Sequence, residues 1–390
     1  MKLPTLLRRG LLALGLVLLV APGSALAAGD GWLRTDGTII RDASGQQFLP
    51  TGAQSVSGVT DATVAAIRQA GFNTMRFTVP WARIEGAKPS LAAGGGLNHS
   101  WSQGWLNGMD AQIRRLTANG IRVILEMHQS QWSSAFRGRR NVAIGLPAWL
   151  YPNPPQNDVA QGQAEIRFYK NVNWPGFSLG SWRPQELSIE VTKFLAQRYK
   201  DNSYVVGFDL INEPGWPTKD TTGLGLPTAR DLLSYYHNAA NALHAINPRL
   251  LIVYESGTFA QAAYRGGTIL NESTGGLTEP NAVMSWHYYP AAPMSDKQFQ
   301  LLVGQRNLAG RFNQPLWIGE FDAYAQAYDK PQQRVFGAAW KPLLLDLMRY
   351  TKANDIGWSL WAFQRGAGSN LLARNGALKM DIISVLRTGE

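Results

Sequence analysis

The sequence contains no cysteine. A disulfide framework, a zinc-thiolate site, a cysteine nucleophile and a lipid-anchored cysteine are therefore excluded. Charge is sparse as well: charged residues make up 16% of the chain, 37 basic against 27 acidic, with no long basic run. Arg137, Arg139 and Arg140 form the densest basic cluster. Such scatter is too thin for a nucleic-acid footprint, so no nucleic-acid partner is expected. Histidine is scarce, with 5 residues, of which His99, His237 and His244 fall in loop or helix patterns. No His-x-His stands on the first candidate strand, which argues against a metal-dependent barrel hydrolase. No glycine-rich phosphate loop follows a strand, which argues against a nicotinamide or flavin enzyme. No cofactor and no metal are expected.

What is present points to a large folded core. Apolar residues make up 45% of the 390-residue chain, and aromatics 11%, including 14 Trp. That length fits two or three average domains or a single α/β barrel. The first 27 residues stand apart. Lys2, Arg8 and Arg9 precede the short apolar run Leu11–Val20, and Ala25-Leu26-Ala27 supplies a small-x-small cleavage pattern. Residues 1–27 are expected to be a cleaved signal peptide, making the protein secreted or periplasmic. The run is too short to span a bilayer easily, and no later run approaches spanning length, so no stable membrane insertion is expected after cleavage. Cleavage removes three cations and no acid, lowering the formal net charge from +10 to +7.

The remaining residues, 28–390, repeat one rhythm: a short apolar run, a polar loop, an amphipathic segment. Eight candidate strands cover Phe48–Gln54, Asn73–Val79, Arg122–His128, Val205–Asn212, Leu250–Glu255, Ala282–Tyr288, Leu316–Glu320 and Gly357–Trp361. Helical patterns lie between them at Ala62–Ala70, Leu106–Ala118, Ser188–Tyr199, Ala229–Ile246, Ser295–Ala309 and Arg334–Ala353. Ala70-Gly71 and Asn119-Gly120 place glycine where helices end. Strands alternating with helices imply parallel βαβ units, and eight of them close into a (β/α)8 TIM barrel in a single domain. A doubly wound open sheet is the alternative, but Thr51-Gly52-Ala53-Gln54 is no dinucleotide fingerprint. Ser130–Pro184 forms a long, irregular insertion after strand three. It holds Trp132, Trp149, Trp174 and Trp182, so it is expected to fold as part of the active-site rim.

Barrel enzymes place chemistry at the C-terminal ends of strands. Strand four runs out into Asp209-Leu-Ile-Asn212-Glu213-Pro214, and strand seven ends Leu316-Trp-Ile-Gly319-Glu320. Side chains alternate along a strand, so Leu316, Ile318 and Glu320 share a face. If the first two fill the barrel, Glu320 faces its mouth. Glu213 and Glu320, 107 residues apart in sequence, can then meet across the barrel. One protonated and one ionised carboxyl in one pocket suit glycosidic bond cleavage, and a separation of about 5 Å implies the retaining route. A lone strand-end glutamate is more often a solvated loop acid or half of an ion pair; the surrounding residues decide.

Those residues supply a resemblance. Asn212-Glu213-Pro214 and Ile318-Gly319-Glu320-Phe321 resemble the two signature motifs of glycoside hydrolase family 5, the cellulase family of clan A. The likeness runs from about Gly37 to about Arg365. It implies Glu213 as acid/base and Glu320 as nucleophile. It further implies that Arg76 contacts the nucleophile, with an ion pair to Glu126 as the alternative or added role. His128 and Asn212 would bind the sugar, Asn212 at its 2-hydroxyl. His287 would neighbour the acid/base, Tyr289 would donate to the nucleophile, and Trp361 would stack under the sugar. Trp358 is expected outside the barrel. Two departures, the Thr51-Gly-Ala-Gln54 run and Gln129 after His128, sit near the expected sugar subsites and bear on substrate identity. Asp322 is expected to cap a turn. The sequence therefore implies a secreted retaining β-glycosidase, expected to be endo-acting on a β-linked glycan or glycoconjugate, with a catalytically inactive carbohydrate-binding barrel as the alternative. Nothing fixes the oligomeric state, for which a monomer is the expectation.

Overall fold

The computed structural model describes residues 31–55, 58–129, 132–136, 145–157, 159–215, 217–256, 270–289, 296–321, 340–363, 371 and 377–389. The expected signal peptide at 1–27, Asp322 and the first residues of the sixth helical pattern, 334–339, lie outside them. Eight parallel strands close into a barrel: β1 Thr51–Ser55, β2 Thr74–Val79, β3 Arg122–Met127, β4 Val205–Asp209, β5 Leu251–Glu255, β6 Ala282–Tyr288, β7 Leu316–Phe321 and β8 Gly357–Leu360. Each strand pairs in parallel with its sequence neighbours, and β8 returns to β1. This is the (β/α)8 barrel that the sequence rhythm implies.

Among the described residues the helices longer than one turn are α1 Asp61–Gln69, α2 Gln103–Thr117, α3 Ala160–Tyr169, α4 Pro184–Tyr199, α5 Ala229–His244, α6 Asp296–Arg311, α7 Trp340–Ala353 and α8 Met380–Thr388. Local chemistry explains several boundaries. Thr60 and Thr228 cap α1 and α5 with reciprocal capping boxes to Thr63 and Asp231, satisfying amides that have no partner within the helix. Pro184 starts α4 four residues earlier than the apolar pattern suggests, because proline tolerates the first turn. Gly71 and Gly120 take φ of +75° and +76° just past α1 and α2, as the helix-stop signals imply.

Apolar side chains form two clusters. A small inner one joins Ile124, Val206, Leu251, Val253, Val283 and Trp317 to Leu33 and Ile40. The last two belong to an N-terminal hairpin, Arg34–Asp36 with Ile39–Arg41, and its entry, which close the barrel bottom. A larger cluster fills the layer between strands and helices and contains Leu316, Ile318 and Trp358. Trp358 meets Phe72 and Phe321 edge-on, at 5.6 and 5.7 Å.

This corrects the alternation argument for strand seven. Trp317, not Leu316 and Ile318, fills the interior. The pairing register slips by one residue at Gly319: Ile318 pairs with Trp286, but Glu320 pairs with His287. The extra residue is a β-bulge, and it turns Glu320 inward despite the wrong parity. A Cβ on Gly319 would stand 2.5 Å from Ser285 Oγ and 3.1 Å from His287 Nε2, so the bulge requires glycine. Strand four slips similarly between β3 partners Val123 and Ile124, which pair with Val205 and Gly207. It ends at Asp209, so Asn212 and Glu213 lie in the following loop rather than on the strand.

The long insertion is folded, as expected, but its described residues are less irregular than the sequence suggests. It contains a helical turn, Ala148–Leu150, and the helix α3. α3 has no side-chain cap and buries residues on more than one face, so its periodicity is faint. Trp132 and Trp174 are buried in an aromatic cluster with Phe136, Tyr151 and Phe168. The C-terminal helix α8, packed on α7, has no counterpart among the sequence patterns.

Barrel closure depends on close strand approach at Gly52, where an added Cβ would meet the Thr74 carbonyl oxygen at 1.7 Å. Gly52→Ala is expected to lower unfolding stability by at least ~3 kcal/mol, measured by denaturant titration. Wild-type stability would contradict this strand spacing.

Candidate active site

The site is built on Arg76, which points inward from β2 and is fully buried. Nε and Nη2 donate to Asp209 Oδ2 at 2.9 and 2.8 Å. Nη2 also donates to Asn212 Oδ1 at 2.9 Å, and Nη1 to Gln54 Oε1 at 2.5 Å and to Glu320 Oε1. Glu126 and Glu255 each lie 3.8 Å from Nη2. The expected Glu126 contact therefore exists, but Asp209 and Glu320 are the nearer anions. Burial alone pushes the guanidinium pKa down, yet these four carboxylates hold it well above its ordinary value.

Glu320 is pinned from two sides. Oε1 accepts from Arg76, and Oε2 accepts from Tyr289 O–H at 2.6 Å. Tyr289 follows the end of β6, and His287 on β6 faces the same space. His287 Nδ1 lies 2.9 Å from Glu213 Oε1 and 3.5 Å from Glu320 Oε2. Glu213, His287 and Glu320 each offer one atom within 4.8 Å of the others. The two glutamates thus meet in space. Their exposure differs: the Glu213 side chain is 24% accessible, that of Glu320 4%.

The same three atoms have spacing that could bracket a cation among the described residues. The charge pattern opposes one. Arg76 already binds Glu320, and the carboxyls around His287 raise its pKa to about 9 against the downward push of burial, keeping the imidazole protonated. A protonated imidazole is not a ligand.

The Glu213 loop is held in a strained shape. Glu213 has φ +39°, a sparse region for a residue with a side chain. Gln129 Nε2 donates to the Asn212 and Glu213 carbonyls at 2.6 and 2.8 Å, and Asn212 Nδ2 donates back to the Gln129 carbonyl at 2.8 Å. Gln129 is thus a clamp on this loop. Gln54 is also buried, bridging Arg76 and Glu126, with Nε2 3.0 Å from Glu126 Oε2. The two departures expected near sugar subsites therefore shape the catalytic frame.

His128, just past β3, pairs through Nδ1 with Glu126 Oε1 at 2.8 Å. Burial lowers its pKa, but Glu126 outweighs that and raises it. Trp361, just past β8, stacks beside His128 with ring centroids 5.7 Å apart and planes 14° off parallel. Arg76, His128, Asn212, Glu213, His287, Tyr289, Glu320 and Trp361 therefore gather at one end of the barrel. Three further side chains, Gln54, Asp209 and Glu255, belong to the same network. Asp209 and Glu255 each end an apolar strand, the signal that singles out Glu320.

Burial and neighbouring charge sort the carboxyls. Desolvation raises Asp209 to about 6 and Glu255 to about 8. Burial also pushes Glu213 upward, but the hydrogen bond and charge of His287 outweigh it and hold this carboxyl below its usual range.

The family model described as Cellulase (glycosyl hydrolase family 5) matches residues 41–366. Endoglycoceramidase I of Rhodococcus hoagii (strain 103S) is 21% identical over 355 residues, covering 86% of this chain and 68% of that protein. An endoglucanase of Paenibacillus polymyxa is 27% identical over 204 residues, covering 47% of this chain and 49% of that protein. Among solved structures, endo-glycoceramidase II from Rhodococcus sp. in its ganglioside GM3 complex superposes with a TM-score of 0.68 at 17% identity, covering 90% of this chain and 81% of that one. An endogalactoceramidase crystal structure gives 0.67 at 19% identity, covering 91% and 84%. At these identities the structural likeness speaks for the fold.

The raised groups set a pH dependence of stability. His287, ordinarily 6.5, and Glu255, ordinarily 4.5, both bind protons more tightly in the folded state. Their contribution is present at low pH and is lost as pH rises through about 8 and about 9. The melting temperature is therefore expected to fall steadily from pH 6.5 to 9, by thermal unfolding in buffers of matched ionic strength. A flat or rising profile would contradict this charge arrangement.

Proposed function

The chain belongs to glycosyl hydrolase family 5 and is a glycoside hydrolase, and from that premise we propose that it is a retaining endo-β-glycosidase with Glu213 as acid/base and Glu320 as nucleophile. The observation that carries this reading is the approach of the two glutamates to within 4.8 Å, on either side of His287. Retaining enzymes hold their carboxyls about 5–5.5 Å apart; inverting ones leave room for a water.

The geometry suits each role. Arg76 and Tyr289 hold both oxygens of Glu320 with hydrogen bonds that fix its aim, as attack on the anomeric carbon requires. Glu213 is the more open of the pair, where a departing glycosidic oxygen can reach it. A glycan seated there strips its remaining solvent and pushes the carboxyl toward the protonated form, with His287 one hydrogen bond away. Protonation of the leaving oxygen accompanies attack by Glu320, and the glycosyl–enzyme ester forms as the glycosidic bond breaks. Esterification removes the Glu320 charge, so Glu213, having given its proton to the leaving oxygen, stays ionised and can take a proton from the incoming water. Trp361 offers an indole face for the apolar side of the ring. Asn212 Nδ2 spends one hydrogen on Gln129 and has a second for a sugar hydroxyl. Both glutamates are present and converge, which argues against an inactive binding barrel.

For the substrate, the endoglycoceramidase match over 86% of the chain favours a β-linked glycolipid. The endoglucanase match over 47% of the chain supports a β-glucan as the second reading. Residues 1–27 are proposed to direct export. No helix among the described residues is long and apolar enough to cross a membrane.

On lactosylceramide in detergent micelles the enzyme is expected to release lactose rather than galactose. Cello-oligosaccharides from β-glucan alone would favour the second reading, and no release from glycolipids, glucans or mannans would contradict the proposed activity. Proton NMR is expected to show β product first; early α product would mean inversion. Glu213→Ala is expected to cost ~10²–10⁴ in kcat on natural glycans, and Glu320→Ala at least as much, with both variants folded. Near wild-type turnover in either would refute its assignment. Protein exported from cells carrying the full gene is expected to begin at Ala28 by N-terminal sequencing; an intact Met1 would refute signal cleavage.

A further inference from the structure

Glu255 ends β5 on the inward face that Leu251 and Val253 also occupy. Its side chain is 2% accessible. A buried carboxyl is tolerated only where neighbours satisfy it. Oε1 of Glu255 accepts the Glu213 main-chain N–H at 2.9 Å and lies 3.2 Å from His287 Nε2. The same imidazole grips the Glu213 carboxyl through Nδ1 at 2.9 Å. One oxygen thus reaches Glu213 by two routes, through its backbone and through its side-chain partner.

The strain at Glu213 gives this arrangement a purpose. A glutamate at φ +39° persists only where its surroundings over-determine it. Gln129 holds the carbonyl side of that residue, and Glu255 holds the amide side. Glu255 is itself anchored by Tyr236, whose hydroxyl donates to the Glu255 carbonyl at 3.1 Å. The charged and titratable groups facing Glu255 are Arg76 from β2, Asp209 from β4, Glu213 from the following loop, His287 from β6, Tyr236 from α5 and Tyr169 from α3.

We propose that Glu255 is a positioning residue for the acid/base: its carboxyl fixes both the Glu213 main chain and the imidazole that orients the Glu213 side chain, so that a proton meets the leaving oxygen at the correct place. The proposal rests on Glu213 being the acid/base. Loss of Glu255 therefore harms reactions whose leaving group needs a proton and spares those whose leaving group does not.

The test uses the full-length enzyme and two aryl β-glycosides, phenyl and 2,4-dinitrophenyl, of whichever disaccharide, cellobiose or lactose, the wild type hydrolyses faster. Glu255→Gln keeps the shape and removes the ionisable carboxyl. It is expected to lower kcat/KM on the phenyl glycoside by about tenfold to a hundredfold, part of the ~10²–10⁴ that positioned proton transfer supplies. On the dinitrophenyl glycoside the change is expected to stay within about threefold, because a good leaving group departs without assistance. The alkaline limb of the phenyl-glycoside pH profile is expected to move by about half a unit or more, since the carboxyl that ionises beside His287 is gone. An unchanged pH profile with both rates intact would overturn the proposal, as would equal losses on both substrates. Glu255→Asp, which keeps the carboxyl and shortens the reach, is expected to show the same leaving-group discrimination. Failure of both variants to fold would make Glu255 a purely structural carboxyl and also overturn it. Glu213→Ala on the same substrates separates the two readings. If it loses both equally, the acid/base assignment itself has failed; if it discriminates and the Glu255 variants do not, the positioning role alone has failed.

Discussion

One buried guanidinium organises the catalytic end of this barrel. Arg76 has no access to water, so the cost of its desolvation must be offset by anions and acceptors held at fixed places. Gln54 from β1, Asp209 and Asn212 from β4 and its following loop, and Glu320 from β7 supply them. Each contact also constrains its partner. Glu320 cannot rotate away without leaving a buried charge uncompensated, and Asn212 carries the start of the Glu213 loop with it. Five carboxyls (Glu126, Asp209, Glu213, Glu255 and Glu320) share this space with Arg76, His128 and His287. Burial lifts Asp209 to about 6 and Glu255 to about 8, so both bind a proton more tightly than a free carboxyl does.

Backbone irregularity does the aiming. A regular strand seven would send Glu320 outward if Trp317 stays inside. The bulge at Gly319 reconciles a packed interior with a carboxyl at the mouth. Strand four uses a slip of the same kind, then a loop in which Glu213 sits at positive φ. Strain of this sort needs support, and Gln129 and Glu255 provide it from opposite sides of the same residue. The stiffness of the scaffold is therefore concentrated around the two residues whose separation decides the reaction route.

The barrel was legible because its signals are long and repeated: apolar runs, helix stops at Gly71 and Gly120, and glutamates closing strands. Gln54 and Gln129 were visible as departures, but their work as braces depends on hydrogen-bond directions that spacing does not encode. Glu255 carried the same strand-end signal as Glu320, yet no neighbouring motif distinguished it from an ordinary loop acid. The inward aim of Glu320 was reached through an alternation that the bulge breaks; the glycine before it was the clue. α3 and α8 were missed for a simpler reason, since a helix without side-chain caps, or one short and late in the chain, leaves a weak periodic trace.

The account stands on Glu320 as the atom-bearing nucleophile opposite Glu213, and trapping the intermediate tests that most directly. A 2-deoxy-2-fluoro β-glycoside with a dinitrophenolate leaving group slows release of the glycosyl group more than its attachment, so a covalent adduct accumulates. Peptide mass mapping after brief incubation is predicted to place one fluoroglycosyl group on Glu320, with loss of activity in proportion to labelling. A label on Glu213 or on another residue, or turnover with no adduct, would contradict it.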